Sequence, residues 1–437
     1  MVLMASVSCV RFSSTRSPRS VLVAYTGPSV VGVDTSTLEG KVMTGYQGWF
    51  NAKGDGANLG WTHWSKSKDK PFGPGNVTVD LWPDMSEYGK SERFETEFRQ
   101  ADGRKAEVFS SHTRETVIRH FEWMRDYGID GAFVQRFARG AMRDDQRHHK
   151  NVVLSNAREG ANLTGRSYAV MYDLSGLPRG GTAYVKEDWA MLRSQMNMTA
   201  DPAYQHHNGK PLVAVWGIGF NDRSKPREYT LEECRSLIEF LQADGCAIMI
   251  GSPSGWRNLE RDALPDPELH EVLKLADVIS PWTVGRYRSL ETVTVHAERF
   301  WQPDLAWTEA NGIDYLPVIF PGFSWHNLKG EALGAIPRRQ GAFFWHQVVE
   351  AKRAGAKMLY VAMFDEVDEG TAIFKVTNAP PQGEGVAFLD YEGLPSDHYL
   401  YLTGQAARVL RNEIPLSEVP PVRKLPDQNA PTHPTSP

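Results

Sequence analysis

Residues 113–137 read Thr113-Arg114-Glu115-Thr116-Val117-Ile118-Arg119-His120-Phe121-Glu122-Trp123-Met124-Arg125-Asp126-Tyr127-Gly128-Ile129-Asp130-Gly131-Ala132-Phe133-Val134-Gln135-Arg136-Phe137. Val117, Ile118, Phe121 and Met124 lie three and four residues apart, which puts them on one face of a helix. Ser111 and Thr113 offer hydroxyl caps at its start, and Gly128 is placed to end it. The run 131–137 is almost continuously apolar, as in a strand buried on both faces. Seven more such runs occupy residues 42–50, 168–174, 212–218, 247–251, 278–282, 315–320 and 358–364. Helical patterns fall at 186–196, 231–242, 267–275, 293–311 and 338–354. Eight strands alternating with helices predict an α/β fold, a (β/α)8 TIM barrel. A doubly wound sheet would want a Gly-rich turn after its first strand, and none is present.

Residues 51–106 form a Gly-, Trp- and Asp-rich insertion after the first strand, too long for an ordinary connection. Residues 107–111, a candidate ninth strand, belong to the same insertion. The expected organisation is an N-terminal extension over 1–40, a catalytic barrel over 41–412, and a Pro-rich tail over 413–437. The extension carries Arg11, Arg16 and Arg19 with many serines, but no clear signal-peptide core. No run of 18 apolar residues exists, so no apolar membrane-spanning helix is expected. The 437 residues carry 48 basic and 53 acidic side chains, a net charge of −5, which argues against a nucleic-acid partner. Cys9, Cys234 and Cys246 offer neither a disulfide framework nor a Cys-x-x-Cys metal site. The histidine pairs His148-His149 and His206-His207 point to different faces, so no metal is expected.

In a TIM barrel the chemistry stands at the C-terminal ends of the strands. Here almost every exit carries an aromatic residue: Tyr46 and Trp49, Phe137, Tyr172, Trp216, Trp256, Trp282, and Trp325 beside His326. Flat rings meet the C–H face of a sugar, and carboxylates and guanidinium groups bond its hydroxyls. Asp173 closes the third strand and Asp365-Glu366-Val367-Asp368-Glu369 follows the eighth. Two carboxyls across a cleft are what glycoside hydrolysis requires, one as acid and one as nucleophile or base. Asp173 and Glu366 are therefore the expected catalytic pair, Glu366 protonated by like-charge repulsion and burial, Asp173 ionised with help from Arg136 or Arg286. Tyr46, Trp49, Arg136, Tyr172, Trp216, Trp282, Arg286, Trp325, His326, Asp365, Asp368 and Glu369 are expected to contact substrate. Asp80, Trp82 and Asp84 of the insertion are expected to fold over the cleft.

Gly45-Tyr46-Gln47-Gly48-Trp49-Phe50, Ser110-Ser111, Asp126-Tyr127-Gly128-Ile129-Asp130-Gly131 and Asp365-Glu366-Val367-Asp368-Glu369-Gly370-Thr371 resemble blocks of the glycoside hydrolase family 71/99-like group. These are endo-α-mannosidase-related proteins, with a subgroup labelled xylosidase/arabinosidase. The resemblance runs from about residue 40 to about 410. It implies a barrel glycosidase acting on a poly- or oligosaccharide without cofactor, in a secreted or periplasmic setting. Glu366 and Glu369 match the two glutamates of the family's last block. One departure stands out: Asp173 takes the first acidic position of another block, while Gly176 takes the second. A non-catalytic glycan-binding barrel, or a barrel enzyme of other chemistry, is the alternative.

Overall fold

The computed structural model describes residues 21–222 and 226–423, so Cys9, the arginines of the extension and the end of the Pro-rich tail lie outside the described residues. Eight parallel strand segments form one curled sheet: β1 Val42–Tyr46, β2 Gly131–Phe137, β3 Ser167–Asp173, β4 Lys210–Trp216, β5 Ala247–Ser252, β6 Val278–Pro281, β7 in two pieces at Asp314–Tyr315 and Val318–Ile319, and β8 Leu359–Val361. The two pieces of β7 close the ring. Asp314 and Tyr315 pair with β6, whereas Val318 and Ile319 pair with β8. Strand β8 in turn pairs with β1. Each apolar run of the sequence thus contributes a strand, and nearly all their side chains are buried because helices cover the sheet's outer face.

The covering helices are α1 Arg114–Tyr127, α2 Asp144–Thr164, α3 Thr182–Met196, α4 Leu231–Ala243, α5 Glu268–Leu273, α6 Leu290–His296, α7 Ala342–Ala354 and α8 His398–Leu410. Helix α6 continues through a π-helical turn at Ala297–Trp301 into a further helix, Gln302–Ala310. Gly128 ends α1 in the left-handed region at φ 76°, as its position suggested. The 21-residue α2 has no counterpart among the patterns read from the sequence. It buries His149, Asn151, Asn156, Arg158 and Asn162 with its alanines and Val153, so its inward face is too polar to register as an apolar stripe. Cys234 and Cys246 are buried free thiols, each pushed up to about 12 by burial.

The insertion folds as an aromatic pack with its own hairpin. Phe94–Arg99 pairs antiparallel with Lys105–Val108, so the candidate ninth strand stays outside the barrel. Trp82 stacks on Phe72 at 5.6 Å and 8°, with Phe98 and Phe388 edge-on to it. No helix among the described residues is long and apolar enough to cross a membrane.

Candidate active site

Strand register sets the level of the site. Phe137 pairs with Asp173, Asp173 with Trp216, Trp216 with Gly251, and Gly251 with Ser280, so five consecutive strand ends stand side by side. Gly251 is required there, because a Cβ would lie 2.4 Å from Cδ1 of Trp216. Above this level opens a cavity of about 940 Å3. Its lining includes Asp173, Glu366, Glu369, Trp49, Trp216, Trp282, Trp325 and Arg286, eight of the side chains expected to act. The chain has 13 tryptophans; eight are buried, and four of the five half-buried ones are these four.

Alternation along the strands explains the expected residues that fall elsewhere. Successive side chains point to opposite faces, so Gln47, Gln135 and Asp173 face the cavity while Tyr46, Arg136 and Tyr172 face the helices. Tyr46 bonds Nδ1 of His120 on α1 at 2.9 Å, within a buried group where His120 is pushed down to about 3 by burial. Arg136 donates twice at 2.6 Å to Asp188 and once at 2.8 Å to Asn151, and Tyr172 donates to the same Asp188. None of the three lines the cavity, and Arg136 is committed to Asp188 rather than to Asp173.

The insertion residues are also corrected. Asp80 accepts from the backbone N–H groups of His326 and Asn327 at 2.7 and 2.8 Å, pinning the β7 exit to the insertion. Trp82 is buried in the aromatic pack, its indole N–H donating to the Glu107 carbonyl. Asp84 accepts from the Ser86 backbone. His326 opens a short helical turn and its ring bonds the carbonyl of Glu331 at 2.8 Å; Glu331 lines the cavity and His326 does not. Arg286 does reach the cavity, where it is paired with Asp262 at 2.7 Å.

At the β8 exit the acids part company. Asp365 accepts from the backbone N–H groups of Gln47 and Gly48 at 2.8 and 2.9 Å and ties β8 to β1; burial still pushes it up to about 7. Asp368 is hydrogen-bonded to His63 Nδ1 at 3.0 Å, and His63 stacks on Trp49 at 3.8 Å and 5°. Asp365 and Asp368 therefore buttress the site rather than line it. Glu366 accepts from the Gln47 side chain at 3.0 Å and the Thr371 hydroxyl at 3.1 Å. Burial raises its carboxyl well above the ordinary range, and the charges of Glu369, Asp368 and Asp365 add to the rise. Glu369 is pushed up to about 8, first by burial and then by Asp368, with the Trp325 indole and Lys329 opposing. Asp173 is raised by burial, but two bonds from Ser175 and the cations Arg227 and Lys150 hold it back. Three carboxyls, two of them buried and Glu369 half-buried, thus face one cavity, and the strongest neighbouring charge on Glu366 is Glu369.

The sequence reading missed Gln47, Gln135, Tyr360, Arg227, Arg261 and Asp262 in the lining. Strict alternation from Asp173 and its register partners would have found the two glutamines. The arginines sit in loops that carry no periodic signal. Among the described residues no group of three or more His, Cys, Asp or Glu is arranged to hold a metal ion.

No family model and no curated protein matches the chain. Its fold is similar to the GH99 endo-alpha-mannosidase from Bacteroides thetaiotaomicron, with a TM-score of 0.60 and 15% identity over 86% of this chain and 99% of that one. The same enzyme in complex with Bis-Tris-propane superposes with a TM-score of 0.61. A glycoside hydrolase-like protein aligns at a TM-score of 0.52 and 13% identity over 89% of this chain and 98% of its own. The shared feature is the fold, a TIM barrel.

Proposed function

We propose that the chain is a glycoside hydrolase acting on a poly- or oligosaccharide in the cavity at the C-terminal end of the barrel. The observation that carries this reading is the presence of three raised carboxyls, the buried Glu366 and Asp173 and the half-buried Glu369, in one cavity with four half-buried tryptophans. Two adjoining carboxyls that cannot both ionise share a proton near neutral pH, which supplies one acid and one base. Glu366 and Glu369 are that pair, each raised by burial and by neighbouring negative charge. Asp173, the expected partner of Glu366, becomes the third carboxyl, the one whose ionised form the neighbouring cations favour. The resemblance of residues 365–371 to the last block of the family supports the same choice. The tryptophans stack on sugar rings at either side of the scissile bond.

Gly176 favours the rival reading of a non-catalytic glycan-binding barrel. It sits at φ 65°, where a side chain is strained, so the position does not readily take back a glutamate. Release of new reducing ends from a polysaccharide panel, with α-mannans first because the Bacteroides enzyme is an endo-alpha-mannosidase, separates the two. Wild-type protein should release them, and Glu366→Gln should lower the rate by about 10²–10⁴ while glycan binding persists. Binding without any release by the wild type would establish the rival, and an unchanged rate in Glu366→Gln would remove Glu366 from its role. The substrate needs a poor leaving group, because a good one departs without protonation.

A further inference from the structure

The cavity has a second chemical character beside its carboxyls. Arg227, Arg261, Arg286 and Arg288, from the connections after β4, β5 and β6, all line it. Arg286 is matched by Asp262, which also accepts from Ser254 and Gly255. The others are not matched in this way: among the described residues Arg227, Arg261 and Arg288 take part in no ion pair. Arg227 lies over the rings of Trp216 and Phe220 at 5.4 and 5.3 Å. Its polar partners are the neutral hydroxyls of Ser175 and Tyr229, and its Nε is buried with no partner among the described residues. Arg261 lies over Phe300 at 4.8 Å, and Arg288 is exposed.

A neutral sugar needs aromatic faces and a few hydrogen-bonding groups; it does not call for several guanidinium groups on one wall. A planar guanidinium held on an aromatic face at a cavity wall, bonded only to hydroxyls, is an arrangement that can donate to a carboxylate or sulfate. We propose that this wall is a subsite for an acidic sugar, one bearing a carboxylate or a sulfate ester, within the glycan whose bond is presented to Glu366 and Glu369. The inference rests on the glycosidase reading for the second half of that statement and on the arginines alone for the first. Trp216 carries the sugar ring and Arg227 meets its anionic substituent, while Arg261 and Arg288 draw the charged chain toward the cavity.

The test uses two matched pairs of polymers: a polyuronate with its carboxyl-reduced form, and a sulfated polysaccharide with its desulfated form. Retention in affinity electrophoresis should be at least about tenfold stronger for the charged member of one pair, the size expected for one charge-assisted hydrogen bond. The pair that shows the difference tells carboxylate from sulfate. Arg227→Gln should remove most of that preference, and Arg261→Gln with Arg288→Gln, both at exposed positions, should weaken retention of the charged member more than that of the neutral one. Equal retention within both pairs, no retention of either charged polymer, or a preference that survives Arg227→Gln would each overturn the proposal. Arginine-dependent retention without release of reducing ends from any of the four polymers would instead leave the acidic subsite standing and remove the glycosidase reading.

Discussion

The insertion and the β8 exit both carry acids beside tryptophan, yet their acids have opposite fates. Asp80 receives two backbone N–H groups and fastens the insertion to residues 326 and 327. Glu366 receives two side-chain donors and opens onto a cavity. The same division recurs between neighbours, since Asp365 is held by two backbone donors and Glu366 by none. Backbone donors cannot swing away, so a carboxylate fixed by them is a strut. A carboxyl among mobile donors and like charges can exchange a proton and touch a ligand. Trp82 and Trp282 repeat the lesson in aromatic form, one closed in on Phe72 and Phe98, the other half-buried beside Trp216.

The comparison would break most visibly at the tryptophans. Trp82→Ala should cost about 3–5 kcal/mol of stability, as truncation of a buried aromatic does. Trp282→Ala should shift the urea midpoint far less and weaken glycan binding instead. Equal midpoints for the two variants would erase the distinction between packed and cavity-lining rings.

A smaller effect is expected at the acids. Asp80→Ala leaves two backbone N–H groups without their acceptor, a loss of about 1–3 kcal/mol. Glu366→Gln puts a neutral amide of the same shape where burial and neighbouring charge disfavour a carboxylate, so its thermal midpoint at neutral pH should equal or exceed that of the wild type. A fall in midpoint for Glu366→Gln as large as that for Asp80→Ala would make Glu366 a strut as well.

The finest distinction lies in pH. The ordinary glutamate value is 4.5, and in the fold burial raises Glu369 to about 8, so between those values the folded state holds the proton more tightly than the unfolded chain. Stability from this group is complete below about 4.5 and declines as pH rises toward about 8. The thermal midpoint of the wild type should therefore fall with pH across that window more steeply than that of Glu369→Gln. Parallel slopes would mean that Glu369 is not raised.

Much of the barrel was legible because burial on both faces leaves a mark in composition: residues 131–137 and 168–174 can hardly be anything but inner strands. Helix α2 was not, since it pairs its polar residues inside the protein, for example Asn162 with Asp201 and Asn151 with Arg136. Hydropathy sees residue type, not whether a partner is waiting. Of the site, the acids after β8 and the tryptophans at the exits stood out by their position in the repeat. Which of them acts was another matter: Tyr46, Arg136 and Tyr172 sit one residue out of phase and face the helices.

Local sequence therefore determined the strand and helix repeat, because hydrophobic periodicity and turn residues act over a few neighbours. It also placed acids and rings at the level of the strand ends. Only the tertiary structure decided which carboxyls were spent on backbone N–H groups, which rings were closed over, and which arginines met at the cavity wall. Asp80 and His326, or Gln47 and Glu366, are brought together by the closed ring of strands and by loops of unrelated length. Their desolvation and charge belong to that assembly, and no short stretch of the chain contains them.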